Sequence, residues 1–137
     1  CHMLCVGLAE YRLMHDGITI KNSPGKGRGV FADKDFQEGD VIEISHVTVV
    51  PQVDEINKTD LQWYVFTWGL QEELYAIAHG YGSLYNHSYQ PNAQYKKFQY
   101  DKIILFTAIK SIKIGEEIFV NYNGEPDCQD EVMHVKF

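Results

Sequence analysis

The chain has 137 residues, 45% of them hydrophobic, with a formal net charge of −7 and a pI near 5.2. A single domain of that length hides about two thirds of its unfolded surface, and the acidic balance argues against nucleic acid and suits a basic peptide or tail. No apolar run approaches the ~18 residues of a membrane span and no secretory leader is visible, so a soluble intracellular domain without membrane contact is expected.

The cysteines are Cys1, Cys5 and Cys128. Cys1-His2 reads as a remnant ahead of a natural Met3, leaving two thiols far apart in sequence and a reducing compartment, cytoplasm or nucleus, as the expectation. Cys1, His2 and Cys5 lack the spacing of a zinc site, and no metal is expected. Residues 1–17 are poorly patterned and read as a tail. Ile18 to Lys21 alternates as a strand, Asn22 to Gly29 is a glycine-rich loop (Asn-Ser-Pro-Gly-Lys-Gly-Arg-Gly), and Val30-Phe31-Ala32 resumes a strand. Gln37 to Asp40 is a turn, and Val41 to Val50 supplies one or two strands ended by Pro51.

A helical insert is predicted at about 55–80. Thr59 with Gln62 three residues on makes a capping box, and Leu61, Val65 and Trp68 recur at helical spacing, a stripe more often core than substrate face. Gly69 ends it, and Gln71 to Ala78 adds a further short helical turn. Beyond lie strands at Ala93 to Phe98 and Lys102 to Ala108, joined by a hairpin at Tyr100-Asp101, and a last strand at Glu117 to Asn121. Many short strands around one small insert predict a mostly β fold with a small α insert.

Two further stretches stand out. Ala32 to Ile42 and Ala108 to Ile118 both read Ala-x-Lys-x-apolar-x-x-Gly-acid-x-Ile. Each predicts a strand, a lysine-bearing turn closed at a glycine of positive φ, and a new strand: similar corners used twice. Between them, Gly82-Ser83-Leu84-Tyr85-Asn86-His87-Ser88-Tyr89-Gln90-Pro91-Asn92 packs an amide and an imidazole between apolar neighbours and a proline turn. Alone it is more often a surface turn; if buried, its polar groups need partners.

Taken in order, three motifs resemble the SET domain family of protein lysine methyltransferases. They are Gly25-Lys26-Gly27-Arg28-Gly29-Val30-Phe31-Ala32, then Tyr85-Asn86-His87-Ser88 with Pro91-Asn92, then Gly115-Glu116-Glu117-Ile118-Phe119-Val120-Asn121-Tyr122. Together they span residues 18 to about 124, a minimal SET domain followed by a C-terminal segment, 125–137, that completes the site. The resemblance implies short curved sheets with a knot-like threading of the C-terminal segment. It implies S-adenosylmethionine as cofactor, S-adenosylhomocysteine as product, and a lysine in a basic protein segment, such as a histone tail, as substrate.

That chemistry requires a neutral amine aligned about 3 Å behind the methyl. Free lysine has a pKa near 10.4, and an apolar channel disfavours its ammonium form. Carried over by motif position, Tyr122 is the active-site tyrosine, and Tyr64 resembles a channel tyrosine that also takes part in catalysis. Tyr95 and Val120 complete the substrate channel. Asn86 and His87 hold the cofactor, Lys26, Gly27 and Arg28 meet its methionine end, and Ser83 often contacts it. With nine tyrosines in the chain, any one is more often packing than chemistry, and the ordered motifs favour Tyr122 more strongly than Tyr64 or Ser83.

Two departures from the family bear on the site. Only Cys128 follows Tyr122, too few thiols for the zinc cluster of larger members. Small members carry an aromatic about five residues past the tyrosine to pack on the adenine, but Asp127 stands there, so Phe137 folds back or another subunit of a homodimer completes the pocket. Tyr95 predicts a monomethyl product. The competing readings are a SET fold that binds cofactor or peptide without turnover, and a methyltransferase of a non-histone protein.

Overall fold

The structure, a computed structural model, describes residues 17–132. Cys1, His2, Cys5 and Phe137, with the expectations attached to them, lie outside the described residues.

Strand β1 (Ile18–Ser23) pairs antiparallel with β2 (Gly27–Ala32). The turn between them closes with Lys26 N–H donating to Ser23 O at 3.0 Å, while Gly25 and Gly27 take φ of +75° and +77°, conformations that favour glycine. Strand β3 (Val41–Val50) follows, then helix α1 (Val53–Ile56), a 3₁₀ turn (Asp60–Trp63), β4 (Phe66–Trp68) and β5 (Leu74–Ala78). The chain closes with β6 (Asn86–His87), β7 (Ala93–Phe98), β8 (Ile103–Ala108) and β9 (Glu117–Val120). They form a four-stranded sheet ordered β1-β2-β9-β6 and a five-stranded sheet ordered β4-β5-β3-β8-β7.

The mostly β class holds, and the insert departs from expectation. Thr59 does cap, its Oγ1 accepting from Leu61 N–H at 3.3 Å, but the helix it starts is a single 3₁₀ turn. Val65-Phe66-Thr67-Trp68 is β-branched and aromatic, and such a run favours a strand that can pack across a sheet. It pairs with β5 through Phe66↔Ala76 and Trp68↔Leu74, with Gly69 at φ +96° in the turn. The helical turn expected at Gln71 to Ala78 is therefore β5, which lies between β4 and β3. Of the helical stripe only Trp68 is buried; Leu61 is exposed and Val65 is half-buried.

The two echoed corners grip one another. Phe36 and Ile112, both buried, form an antiparallel bridge. Gly39 N–H donates to Ala108 O and Gly115 N–H donates to Ala32 O, each at 2.8 Å. In return Ala32 N–H donates to Glu116 O at 2.8 Å and Ala108 N–H to Asp40 O at 2.9 Å. Each acidic side chain caps its own turn, Asp40 Oδ2 on Gln37 N–H and Glu116 Oε1 on Lys113 N–H. The first corner carries the chain from β2 to β3 and the second from β8 to β9, so two opposed crossovers between the sheets are locked by one near-symmetric set of bonds. That lock sets β9 beside β2.

Candidate active site

β9 carries the closing motif, and β6, the Asn-His dipeptide, lies parallel to it with Asn86 opposite Phe119 and His87 opposite Val120. So short a parallel pair needs bracing. Asn92 provides it, with Nδ2 donating to Glu117 O at 2.9 Å and Oδ1 accepting from Phe119 N–H at 2.8 Å.

Asn86 is buried, its Nδ2 donating to Arg28 O at 3.1 Å and to Glu117 Oε2 at 2.8 Å. Glu117 also accepts from Ser23 Oγ at 2.7 Å. One carboxylate thus joins the glycine loop to the Asn-His strand. Gly29 lies against this junction: a Cβ there would sit 2.5 Å from Glu117 Oε2 and 2.7 Å from Asn86 Nδ2, so no other residue fits unchanged. Nearby, the Lys26 ammonium lies 4.6 Å from the centre of the Phe119 ring, a cation–π contact.

Tyr122 is anchored at both ends. Its backbone N–H donates to His87 Nδ1 at 3.0 Å, and its hydroxyl donates to the carbonyl of Tyr85 at 2.7 Å. The Tyr85 side chain points elsewhere, stacking on Phe106 with ring centres 4.3 Å apart and donating to Glu43 Oε1 at 2.7 Å. Glu43 Oε2 accepts from Tyr81 N–H at 2.8 Å. Glu43 is a buried acid in the middle of a strand, placed by a bulge: the β3–β8 register shifts between Val41 and Glu43, so Ile42 and Glu43 are both buried in succession. A bulge re-aims a side chain in this way.

Above Tyr122 opens a cavity of about 330 Å³ walled by Tyr64, Phe66, Ser83, Tyr95, Val120 and Tyr122, with Lys97 and Val132 also on its lining. Tyr95 crosses beneath it, its hydroxyl donating to Tyr122 O at 3.1 Å and its ring meeting Phe66 edge-on at 5.2 Å. Burial pushes the Tyr122 phenol well above its ordinary range, with the neighbouring Tyr64 and Tyr95 phenols and the Glu117 carboxylate adding. Burial, with a contribution from Glu72, takes Tyr95 up to about 12. The Tyr85 phenol is raised by burial first and Glu43 second. All three hydroxyls therefore stay protonated and act as donors at neutral pH.

Of the residues singled out from sequence, Tyr64, Ser83, Tyr95, Val120 and Tyr122 line this one cavity. Lys26, Gly27, Arg28, Asn86 and His87 do not; they gather on the glycine loop and β6, tied to the cavity through Tyr122 and β9. Sequence reasoning passed over Glu43, Glu117, Tyr85 and Lys97. Glu43, in a strand that also carries Ser45, His46 and Thr48, had no local signal, and neither had Lys97.

The molecule is thus a small two-sheet β protein in which a glycine turn, a buried Asn-His strand and a tyrosine-walled cavity converge on one parallel strand pair. The SET domain profile matches residues 27–123, and the chain belongs to the SET domain family. It is 31% identical over 117 residues to the H3 lysine-37-specific histone-lysine N-methyltransferase of Schizosaccharomyces pombe, spanning 83% of this chain and 78% of that protein. It is 40% identical over 114 residues to the histone-lysine N-methyltransferase EZH2 of Chaetomium thermophilum, covering 70% of this chain but 7% of that much longer protein. Among solved structures, Polycomb Repressive Complex 2 from Chaetomium thermophilum, in an autoinhibited conformation bound to S-adenosylmethionine, superposes with a TM-score of 0.65 at 26% identity, over 77% of this chain and 15% of that one.

Proposed function

We propose that the chain transfers the methyl group of S-adenosylmethionine to a lysine amine of a basic protein segment, with histones as the first substrates to try. The observation that carries this is the double anchoring of Tyr122 beneath the tyrosine-walled cavity. A hydroxyl that spends its proton on Tyr85 O offers its oxygen to an amine N–H, while the aromatic rings of the walls disfavour an ammonium. Tyr64, Tyr95 and Val120 wall the channel, and no covalent intermediate is needed: alignment and fixed dipoles supply the rate.

The residues present fit the cofactor. Among the described residues Asn86 donates through Nδ2 only, which leaves Oδ1 to accept from a ligand ammonium, and the Lys26 side chain brings positive charge to the glycine turn beside Phe119. Asn86, His87, Ser83 and the backbone of Lys26, Gly27 and Arg28 would hold it. Bound there, it supplies an electrophilic methyl on a sulfonium.

Intact-mass detection tests the reading: core histones and S-adenosylmethionine are incubated with wild type and with Tyr122→Phe. The expected result is a 14 Da increment on one histone that falls at least about a hundredfold in rate in the variant. Cofactor binding by calorimetry without an increment on histones redirects the search to non-histone substrates. A wild type that binds no cofactor refutes the proposal.

A further inference from the structure

A methyl acceptor must lose a proton, yet the tyrosine walls hold no group that would be a strong base at neutral pH. The cavity does hold a second cation. Lys97 lies two residues along β7 from Tyr95, on the same face of the strand, and lines the same cavity as Tyr64, Tyr95 and Tyr122. Its neighbour Lys96, on the other face, is exposed. The Lys97 side chain is half-buried, and Nζ donates to Thr67 Oγ1 on β4 at 2.9 Å, which ties the head group to the insert wall.

The surroundings of this ammonium are almost neutral. On β8 it is paired with Ile104, and β4 contributes Phe66 and Thr67. The phenols of Tyr64, Tyr75, Tyr95 and Tyr122 line the cavity, and the C-terminal segment contributes Val132. Glu72, in the β4–β5 turn, is the carboxylate whose charge reaches Lys97. Burial lowers the proton affinity of Lys97, and Glu72 works against that loss. Most lysines that line an apolar channel would turn their ammonium out to water; Thr67 holds this one in.

We propose that Lys97 governs the protonation state of the acceptor: its ammonium, held on Thr67 inside the tyrosine-walled cavity, disfavours a second ammonium there and leaves the target lysine as the neutral nucleophile. Two ammonium groups in one cavity repel each other, and the two amines titrate as a pair. Lys97, with its hydroxyl partner and Glu72, keeps its proton, and the proton of the acceptor goes to solvent before transfer. A neighbouring cation is an established way to lower an amine's proton affinity. This rests on the methyl-transfer reading above and adds a residue to it.

The test is the pH profile of kcat for wild type, Lys97→Met and Lys97→Arg on a lysine peptide, since kcat reports groups within the substrate complex. The methionine keeps the stem and removes the charge. Its acidic limb is expected to move up by about one to two pH units, so that kcat at pH 7 falls at least about tenfold while the rates converge at the alkaline end. KM at pH 7 is expected to fall, because a repelling charge has gone. The arginine variant is expected to keep the wild-type limb.

Superimposed profiles for wild type and Lys97→Met, or a uniform change at every pH, would overturn the proposal and leave methyl transfer standing. If Lys97→Met does not fold, Lys97→Gln carries the same test; if neither neutral variant folds, Lys97 is structural and the proposal falls. A wild type without turnover on any lysine peptide removes the methyl-transfer reading, and this inference with it.

Discussion

Tyr85 holds two different groups with its two ends, and Tyr85→Phe separates them. The substitution deletes the hydroxyl that donates to Glu43 Oε1 at 2.7 Å and leaves the backbone carbonyl that accepts from Tyr122. It keeps the stacked ring on Phe106, so the lost volume is one oxygen atom. What remains is a carboxylate, only 7% exposed, that keeps one donor, Tyr81 N–H, among the described residues. A hydrogen bond to a charged group is worth about 1.5–3 kcal/mol, and most of that is lost when its buried partner stays. We expect a loss near 2 kcal/mol, which in a domain of this size lowers Tm by about 6–10 °C. Thermal and urea unfolding followed by circular dichroism read the loss, and a mass-based assay reads the site, where kcat should stay within about threefold of wild type because the carbonyl holding Tyr122 is untouched. A Tm within about 2 °C of wild type would refute the claim that Glu43 depends on this hydroxyl. A hundredfold loss of kcat in a folded variant would refute the separation of the two ends.

Gly29→Ala places a methyl group against Glu117 and Asn86, so the junction must open; cofactor affinity by calorimetry should drop at least about tenfold and stability by about 1–3 kcal/mol, and unchanged binding would count against Asn86 as a cofactor ligand. Alkaline unfolding should begin above pH 10. The Tyr85 and Tyr95 phenols have folded-state pKa values raised above about 10, so their stabilisation is complete below that pH and is lost as pH climbs toward the folded values, at about 1.4 kcal/mol per pH unit for each phenol. Lys97, lowered in the fold, has the opposite sign and is outnumbered. Urea midpoints that stay level between pH 9.5 and 11.5 would contradict this. Tyr95→Phe removes the hydroxyl that donates to Tyr122 O and should turn a monomethyl product into mixed mono- and dimethyl-lysine by mass spectrometry; trimethyl-lysine from wild type would sink the idea.

Much of this molecule is written locally. The alternation of Ile18 to Lys21 placed β1 within two residues of its end, because one face of a strand must be apolar and the period of two admits no helix; the runs Ala93 to Phe98 and Lys102 to Ala108 fell within a residue of β7 and β8. The insert misled because Thr59 and Gln62 do start a helical turn, and Leu61, Val65 and Trp68 do fall at helical spacing. The β-hairpin won because β5 could join β3 through Val47↔Ala78 to Val50↔Tyr75, a partner that no window along the chain can see. The motif residues proposed as site residues were legible as types and order, while Glu43 and Lys97 were not. A glutamate one place out of step in a strand makes sense only with the bulge that turns it inward, and a lysine becomes a cavity residue only when Thr67 lies across from it.

The echoed corners show where the division falls. By itself the sequence determined that each copy would turn at its glycine and cap that turn with its own acid, because those bonds span three residues. That the copies would clasp each other, Phe36 on Ile112, and so lay β9 between β2 and β6, was decided only by the tertiary structure. Backbone donors and acceptors left over at a corner must be satisfied, and which distant segment satisfies them depends on how both sheets close around one core.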